Sequence, residues 1–290
     1  MEVQTNRPSS NARIVDVHVH LLPGRLGEKV REYFAPFGRD LAYPAAHDAV
    51  RVQLEAEGVD EIWTLPYAHK PGVASWLNRE TALIAARPGC LTVIPGATAH
   101  PGDDDPAAIV RHAVEELGAR VLKLHCSVGD FRADDSRLDQ MWHYAAAVRL
   151  PVVVHVGHDS NGQTDDRELG SIHAVADRHP DARVVVAHCG YPSVDSTLNL
   201  IERHSNVYAD LTPVMHAAPQ VPSERLDALA ARLLFGSDAP NATITAADRL
   251  AHLRSLPIDA ATVDSICGHN ATRLRIGVEP AQQMPASDGV

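Results

Sequence analysis

Eight short segments rich in Val, Ile and Leu recur along the chain, each bounded by turn residues and most followed by an amphipathic stretch of helical period. They run over 14–20, 59–65, 91–98, 120–125, 151–156, 183–188, 206–212 and 232–238. After the first interval their starts fall roughly 25 to 30 residues apart, the length of one strand, one helix and two loops. Runs such as Val152-Val153-Val154 and Val184-Val185-Val186 are apolar without alternation. Such runs suit strands buried on both faces, whereas the strands of a two-sheet sandwich alternate. The pattern predicts a single α/β domain, a (β/α)8 TIM barrel over 13–277, with flexible ends at 1–12 and 278–290. An open parallel sheet of similar units is the alternative.

Helix signals fill the intervals. Pro106 suits a first helical turn ahead of Ile109, Val110, Val114 and Leu117, and Gly118 can end that helix. Residues 193–202 and 245–256 follow the same pattern. The first interval is longer, because 21–46 intervenes with Tyr33, Phe34, Phe37, Arg39 and Tyr43. Insertions after barrel strands sit on the catalytic face, so this stretch is either a lid or pocket wall or a packed surface excursion.

Composition narrows the function classes. Of 290 residues, 45% are hydrophobic and 22% charged, which permits a large core. A formal charge of -11 argues against a broad footprint for nucleic acid or anionic membrane, but not against a small anionic substrate in one pocket. The polar start lacks the apolar stretch of a secretory signal and no run is long enough to span a bilayer, so a cytoplasmic protein is expected. Cys90, Cys126, Cys189 and Cys267 form no C-x-x-C pair and read as reduced thiols. Histidine is the anomaly, with 17 residues, and position must choose among them.

Asp16-Val17-His18-Val19-His20 ends the first segment. Alternation predicts Asp16, His18 and His20 on one face, with two imidazoles at the barrel mouth able to grip one metal ion. His155, His188 and Asp238 each close a later apolar segment. In a closed barrel those positions form a single rim. A buried imidazole or carboxylate is costly unless hydrogen bonded, paired or metal bound, and one shared cation removes that cost for several at once.

Together with Lys123-Leu124-His125, Ala187-His188-Cys189-Gly190, Phe235-Gly236-Ser237-Asp238-Ala239-Pro240 and Asn270-Ala271-Thr272-Arg273-Leu274, this rim set resembles the amidohydrolase superfamily. The phrases are similar to its amidohydrolase-related (amidohydrolase 2) branch, which includes lactone hydrolases, hydratases and carboxymuconate-semialdehyde decarboxylase. The resemblance spans 14 to about 276 and implies that His18, His20, His155 and Asp238 hold one divalent ion, most often zinc. It implies that His188 reaches the substrate or the bound water. Asp238 would then take a proton from water and pass it to the leaving group, while His188 stabilises oxyanion charge. The plainer alternatives are a His188 that only supports a ligand and an Asp238 that binds metal without moving protons.

Lys123 admits two roles. Binuclear members of the superfamily bridge two metals with a carboxylated lysine on this strand, and His155 and His188 would then hold the second ion. A mononuclear site, with Lys123 an interior cation near Asp238 or the substrate and His125 a rim residue, is preferred. Asp16 is expected to be a structural acceptor. Tyr67, His69, Lys70, His100, His158, Asp159 and Asn241 are candidate pocket residues. Alternation turns Cys126 and Cys189 away from the histidines, and Gly24 to Gly27 is too short a pattern for a nucleotide loop.

The expectation is therefore a zinc-dependent hydrolase acting on a C–O or C–N bond of a small lactone, ester or amide. The alternative is nonoxidative decarboxylation of an unsaturated or aromatic acid, with Arg25, Arg31 and Arg39 as candidate carboxylate clamps. A barrel serving only for binding is a third class, disfavoured because every rim residue is present. The expected partner is a small molecule, and a homo-oligomer is compatible with the sequence.

Overall fold

The computed structural model describes residues 13–34, 40–156, 166–213, 219–275 and 277. The two expected flexible ends, Phe37, Arg39, His158 and Asp159 lie outside the described residues. Eight strands, β1 (Val15–Val19), β2 (Glu61–Thr64), β3 (Thr92–Thr98), β4 (Val121–Leu124), β5 (Pro151–Val154), β6 (Arg183–Val186), β7 (Val207–Asp210) and β8 (Leu233–Leu234), pair in parallel and in sequence order. Between them run α1 (Gly24–Phe34), α2 (His47–Ala56), α3 (Ala74–Ala85), α4 (Pro106–Glu115), α5 (Cys126–Gly129), α6 (Asp139–Ala147), α7 (Asp166–Arg178), α8 (Val194–Arg203) and α9 (Ser223–Ala228). After β8 come α10 (Ala246–Ser255), α11 (Ala260–Asp264) and α12 (Asn270–Arg275). Among the described residues, no helix is long and apolar enough to cross a membrane.

The last strand meets the first. Val17 N donates to Phe235 O at 3.0 Å, Asp238 N to His18 O at 2.9 Å and His20 N to Ala239 O at 2.7 Å. Asp16 reinforces this seam, accepting from Ser237 N at 3.0 Å and from His18 N at 3.1 Å with the same oxygen. The eight strands therefore form a (β/α)8 TIM barrel, as the spacing of apolar segments predicts.

The continuous apolar runs divide between two packing regions. Val121, Val153, Val185 and Leu234 pack with Trp63 and Leu65 in the lumen, while Leu122, Leu124, Val152, Val154, Val184 and Val186 pack under the helices. Both faces of β4 and β5, and of β6 beyond Arg183, are buried, which is why no alternation shows in those runs. At the N-terminal end of the barrel α12 seals the lumen with Ala271 and Leu274. There the buried Glu61 pairs with Arg275 at 3.0 Å and with Arg13 at 3.1 Å.

Two expectations are corrected. The register of β1 against β2 shifts between Asp16 and Val19. Val15 and Val17 join the lumen cluster while Val19 packs under the helices, so β1 changes phase and Asp16 does not share one face with His18 and His20. His155, His188 and Asp238 also do not close strands; they lie one, two and four residues beyond the ends of β5, β6 and β8. The apolar pattern runs past the hydrogen-bonded ladders because the first residues of the loops are still buried.

The described part of the long first insertion is tied to the barrel through Tyr43. Tyr43 is buried, its hydroxyl donating to Glu57 Oε2 at 3.0 Å and accepting from Ala246 N at 2.6 Å. Arg31 on α1 donates to the Tyr43 carbonyl.

Backbone crowding gives a stability test. A Cβ on Gly96 in β3 would stand 2.3 Å from the Thr64 carbonyl oxygen of β2, an atom the sheet holds in place. Gly96→Ala is expected to destabilise the fold by about 2 kcal/mol or more in urea unfolding, within the usual cost of overpacking. Gly170→Ala on α7, where a Cβ meets nothing within 4 Å, should be neutral or stabilising by up to about 1 kcal/mol.

Candidate metal centre

Two hydrogen bonds orient the paired histidines. His18 Nδ1 lies 3.0 Å from Asp210 Oδ2, and His20 Nδ1 lies 2.8 Å from the Leu65 carbonyl oxygen. A carbonyl and an ionised carboxylate only accept, so both rings donate from Nδ1 and present Nε2 for binding. The two Nε2 atoms converge on Asp238 Oδ1, at 3.9 Å from His18 and 3.2 Å from His20. One donor atom from each of His18, His20 and Asp238 lies within 4.8 Å of the other two. Two imidazoles and a carboxylate at the mouth of a barrel fit a divalent ion in composition and spacing.

Asp210, at the end of β7, is the residue the sequence reading missed. Its carboxylate takes His18 Nδ1–H on one oxygen; the other accepts from His188 N at 2.8 Å and Thr212 N at 3.2 Å. Burial opposes its charge, yet the His18 and His188 contacts and the Thr212 bond prevail and hold it well below the usual carboxylate range. His18 is pushed down to about 3, by burial first and then by Lys123, against the pull of Asp210. The stable arrangement is a neutral His18 donating to an ionised Asp210. His18, His188 and Asp210 also lie within 4.8 Å of one another, but Asp210 already serves three donors and acts as the orienting partner behind His18.

His188 and Asp238 reach the mouth through unusual backbone. In β6 and just beyond it, Val185 and Ala187 pack in the lumen and Val186 outside it, so a continued strand would carry His188 outward. Instead φ is 56° at His188 and 46° at Cys189, and the His188 ring sits 4.7 Å from that of His18. Asp238 has φ 64°. Positive φ at residues other than glycine is uncommon and marks positions that the surroundings over-determine. Burial, with the nearby Lys123 and His20, keeps the His188 ring below its ordinary range despite Asp238 and Asp210. Its Nδ1 is buried and has no hydrogen-bond partner among the described residues. At Asp238 burial raises the carboxyl, but the His20 bond and the His20, His18 and His188 charges outweigh it and leave the group below its usual range.

Other candidates divide. His155 stacks on His125 at 3.7 Å between ring centroids and lies 4.9 Å from His188, outside the His18, His20 and Asp238 trio. Burial, and the neighbouring histidines and Lys123, push both His125 and His155 well below the ordinary range. Lys123 Nζ stands 3.3 Å from His18 Nε2, and burial pulls its ammonium down to about 8 against the attraction of Asp210 and Asp238. Tyr67 packs edge-on to His20, and Asn241 lines a narrow cleft with His20, Arg31 and His47. His69 and Lys70 are exposed, and His100 is committed to Gly129 O at 2.9 Å and Gly102 N at 3.0 Å. Cys126 and Cys189 are buried, and burial pushes both thiols far up.

An eight-stranded parallel barrel with two histidines at the end of its first strand and an aspartate after its eighth defines a class of enzyme, and the sequence places the chain within it. The amidohydrolase family model matches residues 15–274, and the chain belongs to the amidohydrolase-2 family of metal-dependent enzymes. No curated protein matches the sequence. Among solved structures, an uncharacterised TIM-barrel protein from Bordetella bronchiseptica is 20% identical with a TM-score of 0.73, covering 92% of this chain and 99% of that one. A 5-carboxyvanillate decarboxylase from Sphingomonas paucimobilis is 14% identical with a TM-score of 0.64, covering 91% and 99%. A second 5-carboxyvanillate decarboxylase, from Novosphingobium aromaticivorans and with bound manganese, is 12% identical with a TM-score of 0.66, covering 90% and 96%. These likenesses support the fold.

Asp210 gives the test of this geometry. Asp210→Asn keeps the shape but weakens the acceptor behind His18, so affinity for a divalent ion should fall by about 10- to 100-fold, the usual cost of losing such a partner. Competition with a chromophoric chelator measures it, with circular dichroism showing that the barrel persists. An unchanged affinity would remove Asp210 from the centre.

Proposed function

We propose that the protein is a metal-dependent hydrolase acting on a C–O or C–N bond of a small polar carbonyl compound such as a lactone, ester or amide. The observation that carries it is the convergence of His18 Nε2, His20 Nε2 and Asp238 Oδ1 beside the unpartnered Nδ1 of His188. His18, His20 and Asp238 would hold the ion, zinc by their donor chemistry, and His155 would complete the set by a turn of its ring from His125. A bound divalent ion supplies Lewis acidity and brings the pKa of water toward neutrality. Asp238, ionised at neutral pH, takes the proton from the attacking water and returns it to the departing oxygen or nitrogen. His188, neutral and buried, donates a ring N–H to the oxygen that gains charge. Lys123, which competes for the lone pair of His18 Nε2, contributes an interior positive charge that Asp210 and Asp238 favour.

Nonoxidative decarboxylation of an unsaturated or aromatic acid is the second function, and Arg31 favours it. Arg31 shares the cleft with His20, and its Nε is buried without a hydrogen-bond partner among the described residues. A substrate carboxylate would satisfy that donor. Of the other candidate clamps, Arg25 is exposed.

A panel of lactones, esters, amides and aromatic acids separates the two, by acid release against carbon dioxide release. On whichever substrate turns over, Asp238→Asn should lower kcat by about a hundredfold or more, the scale of general-base loss, while the mouth keeps its ion. The double variant His18→Ala, His20→Ala should empty the mouth and leave the barrel folded. A metal-loaded Asp238→Asn enzyme working at the parent rate would overturn the proton-transfer role.

A further inference from the structure

A second group of metal-capable side chains lies away from the mouth, on the helices that follow β5 and β6. His173 and Asp177 are one turn apart on α7 and share a face, and His204 follows the last residue of α8. His173 Nδ1 and His204 Nε2 approach to 2.8 Å. The remaining ring nitrogens turn to one carboxylate: His173 Nε2 is 3.6 Å from Asp177 Oδ2, and His204 Nδ1 is 3.7 Å from Asp177 Oδ1. One donor from each residue lies within 4.8 Å of the other two.

Counting protons shows what the cluster lacks. Two neutral imidazoles bring two N–H groups to three contacts, so one contact always sets lone pair against lone pair. A further cation resolves this, either a third proton or a metal ion. The contacts to Asp177 are too long for hydrogen bonds and close to the spacing of about 3.3 Å between ligands of a tetrahedral ion. One ligand is already fixed, since the His204 carbonyl accepts from Val207 N at 3.2 Å and Arg232 Nη1 at 3.0 Å. The other two are open to solvent, with side chains 38% exposed at His173 and 63% at Asp177.

We propose that His173, Asp177 and His204 form a second metal site, which takes a divalent transition ion such as zinc and clips α7 to α8. Two imidazoles and a carboxylate suit zinc, copper or nickel over magnesium or calcium. The ion would tie together two neighbouring barrel units whose strands lead to His155 and His188, at a distance from the mouth and independently of its chemistry.

The test uses the full chain, stripped by chelator and dialysed against micromolar zinc, with bound metal counted by elemental analysis. The parent should hold about two ions and His173→Ala about one, with turnover unchanged on any substrate found. Asp177→Asn should weaken the same ion. The double variant His18→Ala, His20→Ala should hold about one, and none once His173→Ala is added, so failure of the mouth assignment is read separately. Zinc should raise the Tm of that double variant and lose this effect with His173→Ala. His252→Ala, a change at an exposed histidine of α10, should leave the count unchanged. Equal counts in the parent and His173→Ala, or an equal loss in His252→Ala, would overturn the proposal.

Discussion

The mouth of the barrel depends on one buried carboxylate. Asp210 binds a ring nitrogen from β1, a backbone N–H from the turn after β6 and a backbone N–H just beyond its own strand. Three strands of the barrel are thereby fixed to one another by a charge that their own donors stabilise. The same bonds choose the tautomer of His18 and hold His188 in a left-handed backbone conformation that residues other than glycine rarely adopt. Orientation of the ligand and placement of its neighbour are one event, both settled by where Asp210 stands.

Around that anchor, burial first of all opposes protonation of His18, His125 and His155, and Lys123, buried among them, adds to it. Asp238 and Asp210 supply compensating negative charge. His18 is thus held neutral and Asp210 and Asp238 ionised, the protonation states a divalent ion requires of such groups.

Much of the barrel was legible because burial on both faces leaves an unmistakable mark, as in Val152-Val153-Val154. The pair His18 and His20, and Asp238, were legible for a related reason: polar groups at the ends of apolar runs need a partner. Asp210 stands in the same kind of place, at the end of Val207-Tyr208-Ala209, but a lone aspartate after a strand matches no metal pattern and its role depends on a histidine 192 residues away. The phase of β1 escaped as well, because a shifted register is a property of pairing with β2 that no run of residues spells out. Likewise the inward turn of His188 comes from a positive φ set by tertiary bonds, which alternation cannot anticipate. His155 was legible only in its position at the rim, because its stacking on His125 depends on how two loops meet in space.

Glu61 and Asp16 join parts of the chain that are made at opposite ends of synthesis. Glu61, in the second strand, receives Arg275 from the last helix, and Asp16, in the first strand, receives Ser237 N from the turn after β8. A nascent chain that has emerged only as far as β7 therefore holds two carboxyl groups near its start with only part of their final partners, Arg13 for Glu61 and the N–H of His18 for Asp16. Burying them half-paired would be costly, so the early strands gain less by settling into their final positions alone. Closure of the ring waits for the final segment, which brings β8 to β1 and Arg275 to Glu61.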